Sequence, residues 1–167
     1  MKLESERLKL RILKKNDIND IMKFWGNQKV MSFCPGTIAN PVSLKKTVDF
    51  YENLQKTRNF SVYGVELKSE GILIGACGFN PTENDDKIEL IYHFAENYWG
   101  YGYATEACEC AINYIRSLEN INIIEASVIK ENSASEKILL KLNFEFIGEK
   151  YFEDSKSFEN CYEFMIY

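Results

Sequence analysis

The sequence predicts a mixed α/β fold of about seven strands and about four helices, and three observations carry that prediction. Segments with apolar residues at every second position are interleaved with segments of helical apolar spacing. Along the chain they run strand, two helices, three strands, helix, strand, helix and two strands. The composition, 46% hydrophobic and 14% aromatic with dispersed charge, is that of a chain that buries a core. No repeat, low-complexity tract or linker-like run divides the 167 residues, so a single domain over 1–167 is expected.

The elements follow in order. "RLKLRIL" (7–13) alternates apolar and charged residues, with Leu8, Leu10 and Ile12 on one face of a half-buried strand. Asp17 is placed to cap a helix through "INDIMKFWGNQKVMSF", where Ile18, Ile21, Met22 and Trp25 recur at helical spacing. "NPVSLKKTVDFYENLQKTR" (40–58) predicts a second helix entered through Pro41 and Ser43. "FSVYGVEL" (60–67) and "GILIGACGF" (71–79) read as strands joined across "KSE", and "KIELIYHF" (87–94) as a third.

"ATEACECAINYIRSLEN" (104–120) carries the strongest helical signal, with Ala104, Ala107, Cys108, Ala111, Ile112 and Ile115 in a stripe. "INIIEASVI" (121–129) predicts a strand. "SASEKILLKL" (133–142) predicts a short helix capped by Asn132 or Ser133, with Glu136 in capping-box position to Ser133. "FEFIGEKYF" (144–152) and "NCYEFMIY" (160–167) close the chain as strands.

Charge and cysteine content exclude several functions. A net charge of −5 argues against general nucleic-acid binding and favours cationic partners such as amines. Cys34, Cys77, Cys108, Cys110 and Cys161 are odd in number and hold no Cys-x-x-Cys pair. Cys108 and Cys110 point to different helix faces, so buried thiols in a reducing cytosol are expected, with no metal site. "MKLESERLKLRIL" lacks the apolar run of a signal peptide, and no stretch is long enough to cross a bilayer. A cytoplasmic protein, monomer or homodimer, with no membrane partner is expected.

"NYWGYGYATEA" (97–107) sets Gly100 and Gly102 one residue apart, between the 87–94 strand and the 104–120 helix. The first turn of a helix leaves backbone N–H groups without intrahelical partners at the positive end of the dipole. A small-residue loop lets phosphates approach those donors, so residues 100–105 read as a pyrophosphate site or, more simply, as a tight turn. Walker A fails for want of a lysine, and the dinucleotide fingerprint fails because Thr105 holds the third glycine position.

"WGYGYATEA" resembles the acetyl-CoA pyrophosphate loop of the GNAT N-acetyltransferase superfamily, [RQ]-x-x-G-x-[GA]. Trp99 stands in place of Arg or Gln, Gly102 takes the fourth position and Ala104 the sixth. The tryptophan is common in the branch that contains the ribosomal-protein N-terminal acetyltransferases. "SERLKLRIL" is similar to that branch's first strand, "KIELIYHF" to its fourth, and "NSASEKILLKLNF" to its N-x-x-S-x-x-V-L-x-K-L-G-F element. Asn143 replaces the glycine of that element, and both residues tolerate a left-handed helix end.

The resemblance implies the GNAT fold, a mixed twisted sheet flanked by helices with its fourth and fifth strands splayed around the pantetheine arm. It implies acetyl-CoA as co-substrate and acetyl transfer to an amine acceptor by direct attack in a ternary complex. Backbone at Tyr92, His93 and Phe94 would pair with the arm, and Trp99, Gly100, Tyr101, Gly102, Tyr103, Ala104 and Thr105 would form the diphosphate loop. Asn132 and Ser135 match positions that contact the cofactor or the reacting centre.

An ammonium has no lone pair, so attack on a thioester calls for a base. Glu89 matches the catalytic glutamate of one GNAT branch, and it also reads as a solvent-facing strand carboxylate. Ser135 is placed either to donate to the leaving thiolate or to cap its helix. Leu139 occupies the position where many relatives carry a tyrosine acid, leaving Tyr103 and Tyr151 as substitutes. His93, the only histidine, reads as a packed or cofactor-flanking residue. Trp25, Phe33 and Tyr51 are divided between acceptor pocket and core. The acceptor reads as a protein N-terminal α-amine or a small molecule such as a polyamine or aminoglycoside. A non-catalytic acyl-CoA-binding module is the competing class.

Overall fold

In a computed structural model, which describes residues 3–35 and 38–166, seven strands form one sheet. They are β1 (Leu8–Ile12), β2 (Val62–Leu67), β3 (Ile72–Pro81), β4 (Lys87–Phe94), β5 (Ile123–Ile129), β6 (Glu145–Phe152) and β7 (Ser157–Met165). The order across the sheet is β1-β2-β3-β4-β5-β7-β6. Every neighbouring pair is antiparallel except β4 and β5, which run parallel. A parallel pair needs a crossover, and the chain makes it through α3 (Tyr103–Ile115).

Alternation along the strands divides the side chains between two faces. One face is covered by α1 (Ile18–Ile21) and α2 (Pro41–Arg58): Trp25 reaches His93 on β4, and Tyr51 reaches Asn80 on β3. The opposite face packs α3 and α4 (Ser133–Lys141), where Cys108 meets Cys77 and Ser135 meets Tyr92. Between them lies a core that includes Phe24, Phe60, Phe79, Ile88, Ile115 and Tyr162. The expected class and the expected order of elements along the chain are those of the structure.

Five local expectations are corrected. The helix expected over 17–33 is one turn, α1, preceded by a 3-10 turn at Lys15–Asp17 and followed by further turns. Asp17 does not cap it; its carboxylate accepts from Arg11 Nη1 (2.8 Å) and Nη2 (3.0 Å) and from the Lys14 amide (2.7 Å). Downstream, Asn27 Oδ1 accepts from the amides of Lys29 and Val30, a local bond that competes with helix continuation. The apolar spacing still places Ile18, Ile21, Phe24 and Trp25 inside.

In α2 the cap is Asn40, whose Oδ1 accepts from Val42 and Ser43 (both 3.0 Å), while Ser43 returns the bond from N3. α3 stops at Ile115 because Ser117 and Leu118 close i→i+3 turns, with Ser117 Oγ donating to the Tyr114 carbonyl. Its buried stripe takes Thr105 in place of Ala104. In α4 the cap is Asn132, and Glu136 does not complete a capping box. The Glu136 carboxylate instead accepts from Tyr162 Oη and Asn160 Nδ2, tying the helix to β7. Tyr167, the end of the last expected strand, lies outside the described residues.

Candidate active site

β4 and β5 pair over three positions only: Lys87 with Ile123, Ile88 with Ile124 and Glu89 with Glu125. Beyond that point both remain strands, but each is held from its outer side. β4 stays paired to β3 as far as Phe94 with Gly75, and β5 to β7 as far as Ile129 with Glu159. The facing edges of Leu90–Phe94 and Ala126–Ile129 are therefore unpaired to one another, and the sheet opens. Exposed strand edges offer N–H and C=O groups to an extended, amide-bearing ligand.

At one end of this opening stands the glycine turn. Gly100 and Gly102 sit at φ of 81° and 80°, the left-handed region that glycine enters without steric cost. A Cβ at Gly100 would meet nothing within 4 Å, and one at Gly102 only Arg7 Nη2 at 3.6 Å, so the approach is open. Gly102 is the N-cap of α3 and brings no side chain to it; the first intrahelical bond runs from Glu106 N to Gly102 O (3.1 Å). The amides of Tyr103, Ala104 and Thr105 precede that bond and are free to face an anion. The Thr105 side chain is turned into the core, so only its backbone belongs to the loop. Tyr101 stacks on Tyr103 at 5.7 Å, and Trp99 Nε1 donates to the Phe94 carbonyl (2.7 Å), tying the loop to the end of β4.

The loop is also braced from the N-terminal segment. Glu106 accepts from the Arg7 amide (2.8 Å), Arg7 Nε (2.7 Å) and Ser5 Oγ (2.7 Å), while Arg7 Nη1 donates to the Tyr101 carbonyl (3.0 Å). The guanidinium lies 4.5 Å from the Tyr103 ring centroid. Burial works to raise the Glu106 pKa, but these donors outweigh it and hold the carboxyl below its ordinary range.

On the α4 face of the opening, Asn132 Oδ1 accepts from the Ser135 amide (3.2 Å), which orients the first turn. Ser135 Oγ lies 2.6 Å from Tyr92 Oη, and the Tyr92 hydroxyl is also 3.1 Å from the Ser135 carbonyl. Burial, with a smaller contribution from Cys108, pushes the phenol well above its usual range, so Tyr92 stays protonated.

On the opposite face lies Glu89, paired in register with Asn80 across the β3–β4 hairpin. Burial raises the Glu89 pKa, and the charges of Glu125, Glu159 and Asp154 add to the effect, while a hydrogen bond with Asn80 opposes it. Asn80 Oδ1 in turn accepts from Tyr51 Oη (3.0 Å). A cleft of about 340 Å³ opens here, lined by Glu89, Glu125, Glu83, Lys150 and the 81–84 turn. Three carboxylates against one ammonium make it acidic.

His93 is occupied. Trp25 Nε1 donates to its Nδ1 (3.1 Å), which places the ring proton on Nε2, 3.1 Å from Cys34 Sγ. Burial lowers its pKa to about 4. A neutral ring with both nitrogens engaged offers no base.

The structure therefore gathers Glu89, Tyr92, Asn132 and Ser135 around the opening and places residues 99–105 at its end. Trp25 and Tyr51 are buried, and Phe33 is 41% exposed. Tyr103 is held under Arg7, and Tyr151 packs against Phe158 on the β6–β7 hairpin. Leu139 is fully buried in α4. Sequence reasoning missed Asn80, the Arg7–Glu106 brace, Cys34 and the Tyr92 hydroxyl. Only the strand register marks Asn80, and a partner in another element marks each of the others. Among the described residues no group of His, Cys, Asp and Glu side chains is placed to hold a metal ion, and no helix is long and apolar enough to cross a membrane.

The chain matches the family model "Acetyltransferase (GNAT) domain" over residues 7–145. It is 30% identical over 148 residues to an uncharacterized N-acetyltransferase p20 of Bacillus licheniformis, covering 87% of this chain and 83% of that one. Its fold is that of a GNAT-family acetyltransferase from Bacillus anthracis (TM-score 0.86, 21% identity, 99% of this chain and 98% of the other). It is also that of RimL, a ribosomal L7/L12 alpha-N-protein acetyltransferase in complex with coenzyme A (TM-score 0.81, 16% identity, 97% and 96%). A family match across most of the chain, an opened parallel strand pair and a glycine-capped helix start lead to one assignment: the chain belongs to the GNAT acetyltransferase family.

Proposed function

We propose that residues 1–167 act as one acetyltransferase domain that moves the acetyl group of acetyl-CoA to a primary amine, a protein N-terminal α-amine first among them. One observation carries the reading. The sheet opens between β4 and β5 with a raised-pKa carboxylate, Glu89, on one face and the Ser135–Tyr92 hydroxyl pair on the other. A thioester lying in such an opening meets its nucleophile from one side and releases its thiolate toward the other.

Acetyl-CoA supplies an activated acyl group, and the residues present fit it. The amides at 102–105 suit its diphosphate, and the free edge of Leu90–Phe94 suits its pantetheine amides. An N–H of that edge is suited to the thioester carbonyl as charge develops on it. Glu89, directly or through water, takes a proton from the incoming amine, its carboxylate held between Asn80 and the acidic cleft. Ser135 hydrogen-bonds the departing sulfur, and Asn132 holds the helix turn that aims it. RimL, whose fold this chain shares, is a ribosomal L7/L12 alpha-N-protein acetyltransferase, which supports the protein acceptor. The carboxylates of the cleft favour a second reading, a small polyamine.

The test is release of free CoA thiol from acetyl-CoA across a panel of peptides with varied free N-termini, spermidine, putrescine and kanamycin. Turnover with peptides carries the first reading, and turnover with polyamines alone carries the second. Tight CoA binding with no thiol release from any amine overturns both and leaves an acyl-CoA-binding module.

A further inference from the structure

Tyr92 and Ser135 form a hydroxyl pair whose hydrogen-bond count is constrained. Ser135 presents two acceptors to the phenol, its carbonyl at 3.1 Å and its Oγ at 2.6 Å, but Tyr92 has a single proton. If that proton goes to the carbonyl, Ser135 must spend its own proton on Tyr92 Oη. If it goes to Oγ, the serine proton is released to point elsewhere. The pair lies beside the opening, half-buried on β4 and on the first turn of α4.

We propose that Tyr92 is a positioning residue for Ser135: its phenol donates to Ser135 Oγ when coenzyme A fills the opening, freeing the serine proton to bond the sulfur. The inference rests on the reading above, in which Ser135 faces the leaving group. In the transfer the amine nitrogen forms the C–N bond, and the C–S bond breaks with its electron pair left on sulfur. The amine's surplus proton passes to Glu89 and solvent, and sulfur takes one back to become the thiol. Neither hydroxyl ionises in this scheme; each lends a hydrogen bond to developing charge. Burial supports this division, since it holds the Tyr92 phenol neutral and therefore always a donor.

The geometry also explains why an apolar residue is tolerated one turn further along α4. Leu139 shares the helix face of Ser135 at i, i+4 spacing and is fully buried, so the phenol that partners Ser135 comes from β4 and not from the helix.

The measurement needs no acceptor. The thiol of CoA bound to the protein is titrated by thiolate ultraviolet absorbance, as a difference from the CoA-free protein, in wild type, Tyr92→Phe, Ser135→Ala and the double variant. A hydrogen bond to the thiolate lowers its pKa, so the bound thiol of the wild type is expected about one unit below free CoA. Tyr92→Phe removes at least about half of that shift, Ser135→Ala removes it all, and the double variant equals Ser135→Ala. In turnover, Tyr92→Phe lowers kcat about tenfold with KM for acetyl-CoA unchanged, a split that loss of packing would not give. An unchanged shift in Tyr92→Phe, or losses that add in the double variant, overturns the inference. A wild-type bound thiol that titrates like free CoA overturns it while leaving the transferase reading intact, whereas failure to bind CoA overturns both.

Discussion

Trp25 and His93 are joined by a hydrogen bond from the indole Nε1–H to the imidazole Nδ1 at 3.1 Å, and that bond takes the single histidine out of proton transfer. An imidazolium needs a proton on both nitrogens, and Nδ1 already accepts a hydrogen bond from the tryptophan that a proton there would break. The ring therefore behaves as a strut linking the α1 segment to β4, with Cys34 against its far side.

The His93 ring is accordingly expected to show no NMR titration between pH 5 and 8, because burial lowers its pKa to about 4. The unfolded chain binds this proton near 6.5, so the folded form loses stability as pH falls from there toward 4. Trp25→Phe frees Nδ1 and moves the titration upward. A wild-type midpoint near 6.5 would contradict the hydrogen-bonded geometry.

Glu89→Gln should lower kcat by about 10²–10³, in the range of lost general-base catalysis. In the wild type a rising acid limb is expected, with a midpoint above the ordinary carboxylate range, since burial and then Glu125 raise the Glu89 pKa. The glutamine variant lacks that limb, and its deficit shrinks as pH nears the acceptor amine's own pKa. Asn80→Ala removes a bond that favours the ionised form, so its limb moves to higher pH. A pH–rate profile untouched by either change removes Glu89 from the mechanism.

Gly102→Val should abolish measurable CoA binding by calorimetry while the far-ultraviolet circular dichroism is kept. No wall is struck, since the nearest atom to a Cβ is Arg7 Nη2 at 3.6 Å. The branched side chain instead occupies the approach to the amides, and a φ of 80° costs about 1–2 kcal/mol for a residue with a Cβ. Gly102→Ala separates the two effects, sharing the backbone strain with far less bulk.

Arg7→Ala should destabilise the fold by about 1 kcal/mol at neutral pH, a small figure because the guanidinium is 42% exposed. Despite the opposing effect of burial, Glu106 has its pKa depressed by Arg7 and Ser5. That stabilisation is therefore complete above the unfolded carboxylate pKa and disappears as pH falls through the lower folded value. Denaturant midpoints of wild type and variant converge at low pH. The variant also binds CoA more weakly, because the Tyr101 carbonyl loses its anchor.

Much of this molecule was legible from residue order. The bounds of β4 read from "KIELIYHF" are those of the structure, and the paired glycines stand in a turn at the start of a helix, as their place between strand and helix suggested. The one-turn α1 was not legible, because the Arg11 side chain from β1 takes the carboxylate that would have capped a longer helix. The Glu136 carboxylate was likewise drawn away from its local role by Tyr162, 26 residues along the chain.

Periodicity and turn chemistry are local properties, and they determined the element order and the glycine-opened start of α3, while the family was marked by the resemblance of the 99–107 loop and the 132–144 element to known motifs. Tertiary structure alone decided which side chains share a site: Asn80 with Glu89, Tyr92 with Ser135 and Trp25 with His93. Those meetings depend on strand register and on which sheet face each helix covers, and both are set by packing between segments far apart in the chain.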